Sequence, residues 1–167
     1  MAAWWRSASC MRRRRQRRSR AAGLGAIAAV VAATALADEH KNYFDDPFIQ
    51  VTRGIADCPA PPGPGMTESE MRTQAHVRSE RGLRCYMAGR CRLPNSYMYD
   101  KEIIPRVQKS IINDGRFADT SVWAEGQRRW VYLKGCVRSR EQSKELEKLV
   151  RGIDDVEAVI NELAVKR

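Results

Sequence analysis

Apolar and polar residues alternate along Arg128–Val137 at the two-residue period of a β-strand. One face of this predicted strand is aliphatic and carries Val131, Leu133 and Val137. The other face carries Trp130, Tyr132, Lys134 and Cys136. The aliphatic face is typical of a core surface. The second face is too aromatic for a plain solvent surface, and its thiol can be cross-linked, so we expect another part of the chain to cover it.

Helical spacing of apolar residues is found on both sides of this strand. The first helix is predicted from Asp100 as N-cap to the stop signal at 113–115, and Pro105 is expected to move its regular start one or two residues along. Its apolar stripe consists of Ile103, Ile104, Val107 and Ile111. A second helix begins at the cap Ser139 and buries Leu146, Leu149 and Val150. Residues 156–165 alternate again and predict a further strand.

A hairpin is predicted where Gly126-Gln127 separates two alternating segments, because glycine in the first central position favours a type II′ turn. This register places Val122 opposite Val131 and Trp123 opposite Trp130. The element order is then helix, strand, strand, helix, strand. That order predicts an α+β fold, a small two-layer sandwich with two helices on one face of a three-stranded sheet.

The segment before this sandwich has weaker signals. Residues 38–57 show no clean period and are interpreted as an extended segment whose apolar side chains must dock elsewhere. Cys58–Gly65 holds four prolines and two glycines, which predicts a stiff loop. Thr67 begins a capping box, so a mostly polar surface helix is predicted over about 68–81, ending at Gly82.

The formal charge of +10 is concentrated at one end of the chain. Residues 1–37 contain eight arginines and no acidic residue, leaving 22 basic against 20 acidic residues elsewhere. The remainder is nearly neutral, which argues against a nucleic-acid partner. An apolar run ending in Ala35-Leu36-Ala37 follows the arginines, in the order of a secretory signal peptide. We therefore expect export to the periplasm with cleavage after Ala37; an uncleaved anchor is the main alternative.

Three motifs of the C-terminal half resemble the BON domain, a module of exported bacterial envelope proteins that is named after osmotically induced and nodulation-related members. They are Asp100-x-x-Ile103-x-x-x-Val107, Val131-x-Leu133-x-Gly135-x-Val137 and Val156-x-x-Val159-x-Asn161-x-Leu163-x-Val165. One departure is Asp155, where the family usually has glycine. An aspartate can adopt the left-handed conformation there at some energetic cost.

The resemblance implies an αββαβ sandwich, and together with the signal-peptide pattern it gives a domain division of 1–37 signal peptide, 38–98 cysteine-containing extension and 99–167 BON domain. It further implies a non-enzymatic module that supports envelope integrity and binds phospholipid surfaces or partner proteins. The family carries no catalytic residues, and no Ser/His/Asp, Cys/His or paired-carboxylate set stands out in this chain. No cofactor is expected, and the sequence does not indicate an oligomeric state.

Four cysteines follow the predicted signal peptide: Cys58, Cys85, Cys91 and Cys136. An even number in an exported chain indicates disulfides, while zinc is the alternative that the spacings do not favour. Of three possible pairings we favour Cys58 with Cys136 and Cys85 with Cys91. The first bond would hold the extension across Trp123, Trp130 and Tyr132, and the second closes a short loop.

Two further sets of residues are candidate binding sites. Arg128, Arg129 and Trp130, with Trp123 on the neighbouring strand, form a basic-aromatic hairpin that could meet an anionic lipid surface. The alternative is that the aromatic pair is buried under the extension. Cleavage after Ala37 would also expose Asp38-Glu39-His40, a set able to bind Cu(II) or Ni(II) in a square plane. Otherwise no metal site is predicted.

Two functions follow from this interpretation. In the first, an exposed face of the BON domain binds phospholipid. In the second, the protein is an adaptor for another envelope protein and uses the cysteine-containing extension as its partner surface.

Overall fold

The computed structural model describes residues 39–166. It contains strands β1 (Phe48–Gln50), β2 (Ser121–Gln127), β3 (Trp130–Val137) and β4 (Ala158–Val165). Its helices are α1 (Glu68–Met87), a short 3₁₀ helix (Ser96–Tyr99), α2 (Asp100–Asp114) and α3 (Arg140–Arg151). Within this range no helix has the length and apolar character that a membrane span requires. The predicted signal peptide, 1–37, lies outside the described residues.

The strands form one sheet in the order β1-β2-β3-β4, with β4 parallel to β3 and the other neighbours antiparallel. The α+β class is confirmed. The prediction of three strands is wrong, because β1 from the extension pairs with β2 and places Ile49 opposite Ala124. A three-residue strand is too short to show a period, and it forms here because the backbone groups at the edge of β2 require partners.

The core lies between one face of the sheet and two helices, as the sequence predicts. Fully buried side chains come from α2, α3, β2, β3 and the segment after α2. They include Ile103, Val107, Ile111, Phe117, Val122, Val131, Leu133, Val137, Leu146 and Val150. The aliphatic face of β3 is therefore the core face. Ser139 caps α3 by accepting a hydrogen bond from the Gln142 amide, which confirms the predicted helix start.

The β2–β3 turn differs from the predicted turn. Arg128 and Arg129 form it, with φ of 57° and 68°, so Trp123 lies opposite Lys134 and Val122 opposite Gly135. Two residues with positive φ are typical of a type I′ turn, which follows the twist of the strands. The observed pairing of β2 with β3 is shifted by four residues from the predicted pairing. Because four is an even number, every side chain keeps its predicted face.

The helix ends also depart from expectation. The 3₁₀ helix runs directly into α2, so Tyr99 occupies the N-cap position, and Asp100 is the first helical residue. The predicted capping role of Asp100 is therefore wrong, and Pro105 lies within the helix without delaying its start. The capping box of α1, Thr67 with Glu70, is confirmed. The predicted end at Gly82 is wrong, because α1 continues to Met87. Gly82 instead allows Asn95 to pack closely against the helix, where a side chain would collide with it.

Two disulfides join the pairs that the sequence favours, Cys58 with Cys136 and Cys85 with Cys91. The first attaches the proline-rich loop to the end of β3, where Lys134 Nζ lies 3.4 Å from the Pro62 carbonyl. The extension covers less of the outer face of β3 than predicted. Trp123 is buried, but Trp130 and Tyr132 remain half-buried. Farther along the loop, Gly63 packs beside Phe48, because a methyl group placed on it would lie 3.3 Å from the Phe48 ring.

Candidate anion-binding site

The carboxylate of Asp100 holds the β2–β3 turn in its unusual conformation. Asp100 is 1% exposed and accepts the backbone N–H of Arg128 at 2.6 Å and of Arg129 at 2.7 Å. Burial raises the pKa of Asp100 from 3.8 to about 7, while the two amide hydrogen bonds act in the opposite direction. Nearby Asp46 also raises this pKa, and Arg78 lowers it. Because Asp100 accepts both turn amides, two arginines can occupy turn positions that usually favour Asn and Gly.

Arg129 is directed inward from this turn. Its Nε donates to the Asp155 carbonyl at 2.8 Å, and its Nη1 lies 3.2 Å from Cys91 Sγ and 3.5 Å from Cys85 Sγ. Asp155 has the left-handed backbone expected at the position where the family has glycine, with φ of 70°. Its carboxylate accepts a hydrogen bond from Arg106 Nη2 at 2.9 Å. Arg129 thus joins the β2–β3 turn to the Cys85–Cys91 disulfide of the extension.

The predicted basic-aromatic hairpin is only partly assembled. The guanidinium of Arg128 lies 4.7 Å from the centroid of the Trp130 ring, a cation–π contact that fixes its direction. Trp123 is 8% exposed and lies over Gly135, away from the turn. The prediction that the two indoles face each other is wrong, because Trp130 pairs with Gln127. Trp130 Nε1 is buried without a hydrogen-bond partner among the described residues.

A cavity of about 320 Å³ opens beside the turn, between the extension and residues 99–167. It is lined by five arginines, together with Cys85, Ser96 and Glu157. The arginines are Arg81, Arg84, Arg90, Arg128 and Arg129, and we call this set the arginine pocket. Within residues 39–166, none of the five forms an ion pair with a carboxylate, whereas six other arginines do.

Helix α1, which carries two of the pocket arginines, is fixed by a buried ion pair. Arg78 donates to both carboxylate oxygens of Asp46, at 2.9 and 2.5 Å. Its guanidinium also lies between two aromatic rings, 4.1 Å from the centroid of Phe44 and 3.9 Å from that of Tyr97. A charge this deeply buried requires such a partner. The sequence predicts a mostly polar surface helix here, and no periodicity distinguishes Arg78 from the exposed arginines beside it.

The last turns of α1 also expose apolar side chains. Leu83 is 41% exposed, Tyr86 47% and Met87 79%. Because residues three and four positions apart are neighbours on a helix, these three form one apolar strip. It lies at the same helix end as Arg84 of the arginine pocket. Sequence reasoning missed both features, although the density of arginines around Cys85 and Cys91 could have directed attention there.

The Cu(II) or Ni(II) site predicted at Asp38-Glu39-His40 lies partly outside the described residues. His40 lies beside Gly65 and the N-terminal part of α1, and Asp38 is outside the described range. No group of three His, Cys, Asp or Glu side chains within 39–166 is arranged to hold a metal ion. The Cu(II) or Ni(II) hypothesis depends on a free amine at Asp38 and stays a prediction.

Comparison with known families identifies part of the chain. Residues 99–167 match the family model of the BON domain. No curated protein matches the chain.

Proposed function

Because residues 99–167 are a BON domain, we propose that this protein is a non-enzymatic component of the bacterial cell envelope that binds phospholipid surfaces. The signal-peptide pattern of residues 1–37 supports export to the periplasm with cleavage after Ala37. In this location the protein would act at a membrane surface and support envelope integrity.

The observation that carries this proposal is that exposed apolar side chains lie at the same end of α1 as arginines that form no ion pair within residues 39–166. The arginine pocket and the strip of Leu83, Tyr86 and Met87 share the C-terminal end of α1. Interfacial helices bind membranes in this way, with basic residues near the phosphates and apolar residues at the acyl boundary. Each basic residue near an anionic membrane surface contributes about 1 kcal/mol.

Sedimentation with lipid vesicles tests this function. Protein purified after expression of the full-length chain is mixed with vesicles of phosphatidylcholine, with or without phosphatidylglycerol. We expect binding to the anionic vesicles that decreases steeply between about 50 and about 300 mM salt. Arg128→Glu should weaken this binding at least about fivefold, because it reverses a charge at the pocket.

Arg140→Glu is the matched control, since Arg140 is exposed at the start of α3, after the opposite end of β3. Absence of binding to anionic vesicles at low salt would contradict the proposal. So would an equal decrease in vesicle binding by Arg128→Glu and Arg140→Glu. Mass spectrometry of the same preparation tests export, which requires Asp38 as the mature N-terminus.

The adaptor function is the second candidate. The exposed apolar strip on α1 favours it, because exposed apolar patches mark protein-binding surfaces. A stable protein that co-purifies from the envelope, in the absence of any lipid binding, would support this alternative.

A further inference from the structure

The arginine pocket concentrates positive charge without internal compensation. Its five guanidiniums share the cavity with one carboxylate, that of Glu157, and none of them is ion-paired within residues 39–166. Like charges gathered in this way repel each other and oppose the folded state. An anion bound between them would relieve the repulsion.

Two pocket arginines are held in place before any ligand arrives. Arg129 uses Nε and Nη1 for the Asp155 carbonyl and the two sulfurs, which leaves Nη2 without a partner in the described part of the chain. Arg128 is oriented by its contact with Trp130. The Asp100 carboxylate fixes the backbone of both. Donors that are already ordered lose less entropy when they bind a ligand.

The other three arginines come from the extension. Arg81 and Arg84 lie on α1, and Arg90 lies in the short loop closed by the Cys85–Cys91 disulfide. The Arg90 amide donates to the Cys85 carbonyl at 3.1 Å, which fixes the loop backbone. Both parts of the chain are therefore needed to build the pocket, and a BON domain without this extension would lack three of the five guanidiniums.

We propose that the arginine pocket binds a phosphomonoester group. This inference rests on the proposed function only for the source of the ligand, which is either a lipid headgroup or a soluble phosphorylated molecule. Guanidinium groups bind phosphate through paired N–H donors, which a planar fork presents at the required spacing. A phosphomonoester carries nearly two negative charges at neutral pH and three terminal oxygens. A phosphomonoester therefore fits a cavity lined by five arginines better than a phosphodiester does, because a phosphodiester carries only one negative charge.

The experiment compares soluble and membrane-bound phosphate on one preparation of the protein, expressed from the full-length chain. Glycerol 3-phosphate is titrated into the protein and binding is followed by calorimetry at constant ionic strength. In parallel, the protein is sedimented with vesicles that contain phosphatidic acid, a phosphomonoester, or phosphatidylglycerol, a phosphodiester, at equal surface charge. The pocket variant is Arg84→Gln with Arg90→Gln, and the control is Arg53→Gln with Arg140→Gln. All four side chains are exposed.

We expect saturable binding of glycerol 3-phosphate to the wild-type and control proteins, and affinity on the order of tenfold lower in the pocket variant. Affinity should also decrease below about pH 6, where the phosphomonoester gains a proton. Arg81→Gln provides an independent variant with the same expected direction. Circular dichroism checks that each variant is folded.

The outcomes separate this inference from the proposed function. Preference for phosphatidic acid over phosphatidylglycerol, lost in the pocket variant, identifies a lipid source and supports both. Binding of glycerol 3-phosphate without binding to either kind of vesicle supports the pocket and overturns the membrane function. Vesicle binding that is weaker in the pocket variant than in the control but shows no preference for phosphatidic acid, with no saturable binding of glycerol 3-phosphate, overturns the phosphomonoester site and leaves the membrane function standing.

Discussion

The buried carboxylate of Asp100 gives the protein a distinctive dependence of stability on pH. In the folded state burial raises the pKa of Asp100 from 3.8 to about 7. Between these two values the folded protein binds a proton that the unfolded chain has released. The free energy of unfolding must therefore decrease as the pH rises through this window, and the decrease is complete above pH 7.

The size of the effect follows from the same two pKa values. Each tenfold difference in proton affinity corresponds to about 1.36 kcal/mol, so the free energy of unfolding should decrease by about 4 kcal/mol across the window. No allowance for solvent screening is needed, because Asp100 is 1% exposed. The carboxylates whose pKa is lowered act in the other direction, since they stabilise the fold as the pH rises and lose that contribution in acid. These are Glu70, Asp114, Glu141 and Glu147.

Urea unfolding at pH 4 to 8 and constant ionic strength measures the effect. The control is Asp100→Asn, which cannot ionise and keeps one oxygen as an acceptor for a turn amide. We expect the free energy of unfolding of the wild type to decrease relative to that of the variant as the pH rises. Contributions that the two proteins share cancel in this difference. Parallel curves for the two proteins would refute the reasoning, because Asp100 would then have the same pKa in both states.

Three substitutions test how the extension and the sheet are held. Replacing Cys58 and Cys136 by serine should lower the free energy of unfolding by about 4 kcal/mol, because their bond spans 78 residues; a loss below about 1 kcal/mol in denaturant melts would contradict this. Arg78→Ala should cost about 3–5 kcal/mol by leaving Asp46 buried without its partner, and the double variant with Asp46→Ala should recover part of the loss. Gly135→Ala should cost more than about 2 kcal/mol, since φ is 113° and the new methyl group would lie 2.2 Å from a carbonyl oxygen; an unchanged melting temperature would disprove that account.

The C-terminal half was largely predictable because its elements have clear periods and caps. Val131, Leu133 and Val137 alternate in sequence and lie in the core. The hairpin register was not predictable from local rules. Gly126 is the obvious turn residue, yet the turn forms at two arginines because a carboxylate distant in sequence, that of Asp100, accepts their amides. Turn rules consider only neighbours along the chain, so they cannot include this contribution.

The arginine pocket was beyond sequence reasoning for a related cause. Its five side chains come from α1, a disulfide loop and a turn that α1 precedes by some forty residues. The orientation of α1 depends on the Arg78–Asp46 ion pair. The local sequence does not distinguish Arg78 from Arg81 and Arg84, which lie on the same helix. The ion pair with Asp46 and the packing of Phe44 and Tyr97 around its guanidinium distinguish the buried arginine from the two that line the cavity.

The extension also changes which parts of the BON domain can bind a partner. Strand β1 occupies the edge of β2, and the loop after Cys58 is bonded to the outer face of β3 at Cys136. Both contacts remove sheet surface from solvent, whereas α1 and the Cys85–Cys91 loop add three arginines beside the β2–β3 turn. The outer face of β3, which its sequence marks as unusual, is thus where the extension attaches. The proposed binding function is therefore assigned to the turn end of the sheet, since there the extension adds arginines that form no ion pair within residues 39–166.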